Sequence, residues 1–160
     1  MKYIPFYLLL VFSLISCEDE TMSETENENM DFVFGWSYGE CGGDCVSLFR
    51  LDDDSLYPDD EHGYFPTSGN VDFKDESLAD ASALIEAQSL LEDFPNYLIE
   101  SNENRFGCPD CGDWGSIHIM LEIDDEERWW TLDNQIDGNP EEIQGWTQRV
   151  QDLIVELTKF

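Results

Sequence analysis

Two closely spaced cysteine pairs are the residues of this chain best suited to chemistry. The first pair is Cys41 and Cys45, with Gly-Gly-Asp between them, and the second is Cys108 and Cys111, separated by Pro-Asp. Pairs at such short spacing form structural disulfides, bind zinc through thiolates, or carry out thiol–disulfide exchange. In an exported chain an even number of paired cysteines favours disulfides. We therefore expect disulfides, and the sequence leaves their pairing open.

Zinc and redox chemistry are the alternatives for these cysteines. Cys-Pro-x-Cys-Gly at 108–112 resembles one knuckle of a zinc ribbon, but the other pair departs from that pattern by one extra residue. A redox Cys-x-x-Cys motif holds its reactive thiolate at a helix N-terminus. Here Gly112 and Gly115 and a strand pattern follow the motif instead. We expect no cofactor, with structural zinc held by the four cysteines as the alternative.

No pattern of catalytic type stands out elsewhere in the chain. His62 and His118 are the two histidines, and we expect His62 in a solvated acidic turn and His118 on the polar side of a strand. Residues 133–138 are reminiscent of a calcium loop, but Gln135 stands where a carboxylate or Asn is usual and Gln144 replaces the bidentate Glu. A nucleophile elbow, a phosphate loop and a dinucleotide fingerprint are absent. The sequence therefore predicts neither a catalytic residue nor a metal ligand outside the cysteines.

Aromatic side chains are the candidates for contacts with a partner. They are Trp36, Tyr38, Trp114, Trp129 and Trp130. Tryptophan and tyrosine are enriched at protein interfaces, but large rings also fill cores, and we expect core packing at most of these positions. The chain has 37 acidic and 7 basic residues, a formal net charge of −30. Because that charge repels nucleic acid and anionic lipid, we expect a protein or glycan partner.

The first 30 residues are typical of a secretion signal followed by a tether. Lys2 precedes an apolar stretch over 3–15 that is shorter than the about 20 residues needed to cross a bilayer. That stretch ends in Leu-Ile-Ser-Cys, which resembles a lipobox and implies removal of residues 1–16 and lipidation of Cys17. Six acidic residues and no basic one follow before Met30, so we expect 17–30 to be a disordered tether. The segment predicts a lipoprotein of the cell envelope, at the outer membrane, facing the periplasm or the cell surface.

Residues 31–160 are predicted to form a single globular α+β domain, a typical domain length. Runs of aromatic and β-branched residues bounded by Gly and Asp indicate a meander, and a strictly alternating run with a return strand indicates a hairpin. The predicted strands are 32–38, 46–51 and 56–57 in the meander, edge pieces at 65–66 and 71–73, and 117–123 with 129–132 in the hairpin. The alternation over 117–123 predicts a strand with one buried face.

Two main helices are predicted to cover this sheet. The first follows a Ser77 cap, has apolar residues at helical spacing over 78–91, and stops before Pro95, after which a short helix continues the apolar surface. The last helix is expected to be capped by Asn139 and to begin at Pro140. Its apolar stripe, expected to pack on the sheet, is Ile143, Trp146, Val150, Leu153, Ile154 and Leu157. The expected fold is thus a small antiparallel sheet, meander plus hairpin, covered by two main helices.

The order of these motifs resembles that of a group of Bacteroidota lipoproteins. The matching segments are Trp-Ser-Tyr-Gly-Glu-Cys-Gly-Gly-Asp-Cys-Val-Ser-Leu-Phe-Arg-Leu-Asp at 36–52 and Gly-Cys-Pro-Asp-Cys-Gly-Asp at 107–113, with a closing acidic helix. The group has no assigned activity, so the resemblance implies export and the α+β fold and adds no catalytic residue. We expect an envelope-anchored, non-enzymatic binding or scaffold module. The alternative is an envelope enzyme or a redox or zinc protein that uses the two cysteine pairs.

Overall fold

The computed structural model describes residues 31–39, 45–60, 71–123 and 126–159. Within these residues the chain forms one six-stranded sheet, three α-helices and a 3₁₀ turn at Ile136–Gly138. The strands are β1 (Phe32–Ser37), β2 (Val46–Asp52), β3 (Ser55–Pro58), β4 (Arg105–Phe106), β5 (Ser116–Ile123) and β6 (Glu126–Asp133). The helices are α1 (Ala81–Glu92), α2 (Asn96–Glu100) and α3 (Glu141–Leu157). The predictions for 1–30, Cys41, His62 and 65–66 lie outside the described residues.

The sheet is mixed, and the expectation of a small, purely antiparallel sheet is wrong. Its strand order is β3-β2-β1-β5-β6-β4. The predicted meander and hairpin are present and are joined by antiparallel pairing of β1 with β5. However, β4 runs parallel to β6, with Arg105 beside Thr131 and Phe106 beside Leu132. A strand of two residues is too short to give a periodic pattern in sequence, and therefore the prediction missed it.

In the described residues the fold has three α-helices, so the description of a sheet covered by two main helices is incomplete, and both predicted caps are corrected. The short α2 supplies the fully buried Leu98 to the main core. The N-cap of α1 is Asp80, whose Oδ1 accepts from the backbone N–H groups of Ser82 and Ala83 at 3.0 and 3.1 Å, so Ser77 is not the cap. Asn139 does not cap α3, which begins at Glu141. The Asn139 side chain is instead committed to the backbone of β6, as described below.

The main core lies between one face of the sheet and the helices. It includes Phe32 and Phe34 of β1, Ile117, Ile119 and Leu121 of β5, and Ile143, Val150, Leu153 and Ile154 of α3. The predicted burial of the α3 stripe on this face is therefore confirmed. Trp146 donates its Nε1–H to the carbonyl of Leu90 at 3.0 Å, and Arg149 contacts Glu86 and Asp93 at 2.9 Å each. These polar contacts fix α3 against α1.

The opposite face of the sheet is also buried at its centre. Val33, Leu48 and Met120 form a second cluster, and His118 is only 6 % exposed. The expectation that β5 has only one buried face is therefore wrong, because the polar side of the strand, on which His118 was expected, is also buried. Part of the cover comes from 71–74, which is not an edge strand but forms a single bridge, Asp59 with Phe73. The alternating polar residues thus mark the less apolar face of β5, but that face is not exposed to solvent.

Candidate functional site at the disulfide end of the sheet

Several sequence-predicted site residues meet at one end of the sheet, which we call the disulfide end. β1 ends at Ser37, β2 begins after Cys45, and β5 begins at Ser116, just after the second cysteine motif. Tyr38 donates its backbone N–H to the carbonyl of Cys45 at 2.9 Å. The second cysteine motif lies beside the end of β1, because the backbone N–H of Gly39 donates to the Asp110 Oδ1 of that motif at 3.4 Å.

Cys108 and Cys111 form a disulfide within one motif, with Cα atoms 5.4 Å apart. The backbone N–H of Cys111 also donates to the carbonyl of Cys108 at 3.0 Å, which closes a tight turn. Cys45 is disulfide-bonded as well, and its partner lies outside the described residues. The pairing that the sequence left open is thus local for the second motif. In the described part of the chain, no group of three or more His, Cys, Asp or Glu side chains is placed to hold a metal ion.

The loop that carries this disulfide has an unusual backbone. Its residues with positive φ are Gly107 (71°), Asp110 (61°), Gly112 (72°), Asp113 (65°) and Gly115 (77°). Non-glycine residues seldom adopt this region, although the short polar side chain of Asp tolerates it better than most. Gly115 cannot be replaced without a clash, because a Cβ there would lie 2.6 Å from the carbonyl oxygen of Ser37 and from the ring of Tyr38. The loop is therefore held close against the end of β1.

Asp133 and Asn139 anchor this loop to the rest of the domain. The Asp133 Oδ2 accepts from the backbone N–H of Cys108 at 2.8 Å, and its Oδ1 accepts from the N–H of Gln135 at 2.9 Å. Asn139 accepts from the backbone N–H of Asp133 at 2.9 Å and donates to its carbonyl at 2.8 Å. Asp133, the first carboxylate of the segment that is reminiscent of a calcium loop, thus accepts hydrogen bonds from backbone N–H groups. From the sequence we expected Asn139 to cap the last helix and predicted no metal ligand at Asp133, and the anchoring role of both side chains was missed.

The five candidate aromatic residues separate into two groups. Trp36 and Tyr38 meet edge to face at the disulfide end, with ring centroids 5.6 Å apart, and the ring of Trp114 on the disulfide loop is 59 % exposed. By contrast, Trp129 and Trp130 lie in the middle of the hairpin, paired with Met120 and Ile119 of β5. Trp130 is 1 % exposed and belongs to the main core. Only the first group combines exposure with proximity to the disulfide.

Sequence reasoning also missed a Ser–His pair below this end. The Ser37 Oγ and the His118 Nε2 share a hydrogen bond of 2.7 Å. Burial, and to a lesser degree the positive charge of Arg105, lowers the pKa of His118 to about 4, so the imidazole is neutral near pH 7. Ser–His pairs can serve as nucleophile and base, but a ring that is 6 % exposed offers little access to a substrate. The pair is best explained as an internal polar contact of the second sheet face.

Comparisons with known proteins assign no family to this chain. No protein-family model matches the sequence, and no curated protein is similar to it. Among the helices that the structure describes, none has the length and apolar character required to span a membrane. The resemblance to Bacteroidota lipoproteins thus stays a prediction from the two motif segments.

Proposed function

We propose that this protein is a non-enzymatic binding module that engages another protein through the aromatic rings at its disulfide end. We call this surface the aromatic end, and it consists of Trp36, Tyr38 and Trp114. The observation that supports the proposal is the 59 % exposure of Trp114 on a loop closed by the Cys108–Cys111 disulfide. Tryptophan and tyrosine anchors contribute most of the affinity at protein interfaces when they enter a pocket of the partner.

The rigidity of the loop supports binding over packing as the role of Trp114. The disulfide, the Asp133 carboxylate and the guanidinium of Arg105, which donates to the carbonyl of Pro109 at 2.7 Å, each restrain its backbone. A surface that is already ordered loses less conformational entropy when it binds. Asp110 and Asp113, on the same loop as Trp114, are also exposed. A fitting partner therefore has an apolar pocket with a basic rim, because complementary charge steers association.

We further propose that Cys17 tethers the module to the envelope, with the aromatic end directed away from the membrane. The support is the lipobox-like Leu-Ile-Ser-Cys sequence and the direction of β1. The predicted tether joins the domain at Asp31, whereas the aromatic end begins where β1 stops, at Ser37. Six strand residues span roughly 20 Å at about 3.3 Å per residue. A tethered domain would thus present this end outward.

Site-specific photo-crosslinking in the native envelope tests the binding proposal. A photoreactive residue at position 114 should give a discrete protein adduct, and the same residue at Ile85, which is 66 % exposed on α1, serves as the control. Trp114→Ala should weaken a purified complex by at least about 2 kcal/mol, roughly thirtyfold in Kd, as expected of an anchor. Equal adducts at both positions, or none at position 114, would contradict the proposal. Binding to glycans without any protein adduct would overturn the choice of partner.

The tether has a separate test. Cys17→Ala should abolish incorporation of labelled fatty acid and release the chain from the membrane fraction, because several acyl chains are needed for stable anchoring. Retention of both properties in the variant would refute the tether without affecting the aromatic end. The redox and zinc alternatives predict free thiols or bound zinc at Cys108 and Cys111, which alkylation and metal analysis of the purified protein would detect.

A further inference from the structure

A cleft of about 310 Å³ opens on the sheet face opposite the main core, and we call it the Arg50 cleft. Its floor follows one row of cross-strand neighbours, because the lining residues Arg50, Val33, Met120 and Trp129 lie side by side on β2, β1, β5 and β6. Side chains in such a row are in contact distance of their neighbours. The cleft therefore has a charged side at Arg50, an apolar centre and an aromatic wall at Trp129.

Arg50 is held at this cleft without an opposite charge bound to it. Its Cζ lies 5.3 Å from the ring centroid of Tyr57 and 5.0 Å from that of Phe73, distances typical of cation–π contacts. The ion pairs within 4.0 Å in the described residues belong to Arg149, and none involves Arg50. The Nε of Arg50 is buried and has no hydrogen-bond partner there. The rings thus fix the guanidinium, which is free to bind an anionic group from the cleft.

Carboxylates line the same cleft and repel one another. Asp31, Asp72 and Glu127 line it. Glu122, which pairs with Glu127 in the sheet, donates its backbone N–H to the carbonyl of Asp31 at 3.1 Å. Burial raises the pKa of Asp31, and the charges of Asp52 and Glu127 raise it further while Arg50 opposes them. Like charges on neighbouring strands are destabilising. A cationic group beside Asp31 would relieve this repulsion.

We propose that the Arg50 cleft binds a free α-amino acid with an apolar side chain. Its carboxylate binds Arg50, its ammonium group lies beside Asp31, and its side chain packs over Val33 and Met120 toward Trp129. Asp31 lies two residues before Val33, the partner of Arg50 on β2. Arg50 and Asp31 are therefore diagonal neighbours on one sheet face, about 7–8 Å apart, a gap that the two charged groups of one α-carbon can bridge. The volume is at the small end of the range for small-molecule pockets, about 300–1,000 Å³.

Ligands with a single sign of charge fit this cleft less well. An anion would be attracted to Arg50 but repelled by Asp31, Asp72 and Glu127. An organic cation would satisfy the carboxylates and leave the guanidinium unpaired, and the described residues offer no three-ligand group for a metal ion. A zwitterion matches both sides of the cleft. This site lies on the second face of the sheet and does not depend on the proposed role of the aromatic end.

Titration calorimetry of the purified full chain tests this proposal with three probes. L-leucine carries both charged groups, L-leucinamide lacks the carboxylate, and 4-methylpentanoate lacks the ammonium group. We expect L-leucine to bind and both analogues to bind at least tenfold more weakly, which corresponds to about 1.4 kcal/mol. This comparison uses the unaltered protein and therefore does not depend on how a variant folds.

Two charge variants then locate the binding site. Arg50→Gln and Asp31→Asn should each weaken L-leucine binding at least tenfold, whereas Lys159→Gln and Asp152→Asn, which remove exposed charges on and next to α3, should not change it. The proposal is overturned if L-leucine fails to bind at millimolar concentration or binds Arg50→Gln as it binds the unaltered chain. Equal binding of L-leucinamide would indicate a simple cation site, and equal binding of 4-methylpentanoate a simple anion site. Either result would also overturn it.

Discussion

Replacing His118 with glutamine should remove a pH-dependent part of the stability of this domain. The imidazole is buried on the second face of the sheet, and its Nε2 bonds the hydroxyl of Ser37 at 2.7 Å. A glutamine side chain at this position would keep a polar group near the location of Nε2 but would not titrate. Comparing the unaltered chain with the His118→Gln variant therefore measures the free-energy cost of protonating the ring separately from the contribution of its hydrogen bond.

The magnitude follows from the pKa of His118 in the two states. Burial lowers that pKa from 6.5 to about 4 in the folded chain. Between these values the unfolded chain binds a proton that the folded chain does not, so stability falls as the pH falls. The slope is about 1.4 kcal/mol per pH unit. Over this window the unaltered chain should lose about 3 kcal/mol relative to the variant, and above pH 6.5 the difference should be constant.

Urea denaturation of both proteins at a series of pH values measures this difference directly. The many carboxylates also titrate below pH 6, but they are shared by both proteins and cancel in the difference between their free energies of unfolding. A difference that stays constant from pH 7 to 4 would refute the assignment of a buried, neutral imidazole. A difference that grows in favour of the unaltered chain at low pH would mean that the folded state stabilises the charged ring.

Three further predictions concern the core and the disulfide end. In urea denaturation, Leu153→Ala should lower the free energy of unfolding by about 2–5 kcal/mol. The control Gln148→Ala, at an exposed position of α3, should lower it by less than about 0.5 kcal/mol. Equal effects of the two substitutions would contradict the burial of the α3 stripe. Asp133→Asn should lower the free energy of unfolding by about 1–3 kcal/mol, because the backbone N–H of Cys108 loses its charged acceptor. Hydrogen exchange at the Cys108 amide should become faster. Unchanged exchange would argue against the anchoring of the loop by Asp133. Alkylation without reduction should leave Cys108 and Cys111 unmodified in mass spectra. Labelling of either cysteine would show that the disulfide is not stable in solution.

The long strands of this fold could be predicted because each repeats a simple pattern over many residues. β5 alternates apolar residues from Ile117 onward, and β1 and β2 are dense in aromatic and branched side chains, so their bounds were predicted to within about two residues. β4 could not be found this way. Its two residues are a strand only because Phe106 packs in the core and pairs beside Leu132 of β6. Such pairing is a property of tertiary structure and leaves no local periodicity.

The predicted helix boundaries were wrong for a related reason. Asn is a residue type favoured at helix N-caps. The side chain of Asn139 instead bonds the backbone N–H and the carbonyl of Asp133. Ser77 is likewise a good cap type, yet α1 begins four residues later behind Asp80. In both cases several polar residues competed for one role. Which residue caps a helix depends on where the tertiary contacts place the preceding chain.

For the candidate sites, too, the residue types could be predicted from the sequence, but the strand register that brings them together could not. Cysteine spacing predicted disulfides without their pairing, and aromatic content predicted Trp114 as a candidate contact. The Arg50 cleft had no signal in the sequence, because Arg50, Met120 and Trp129 line one face only after β2, β5 and β6 join the same sheet. A sequence pattern identifies which residue types are present. The pairing of distant strands decides which of them share a surface.

Strand β1 connects the two surfaces that we propose for binding. It lies at the centre of the sheet between β2 and β5, and its backbone is hydrogen-bonded on both sides. Asp31 at its start lines the Arg50 cleft, and Tyr38 after its end contributes to the aromatic end. These residues are separated by roughly 20 Å of extended chain. Because sites that far apart without shared contacts act additively in most proteins, an amino acid in the cleft need not alter the affinity of the aromatic end. The central strand fixes the distance between the two surfaces.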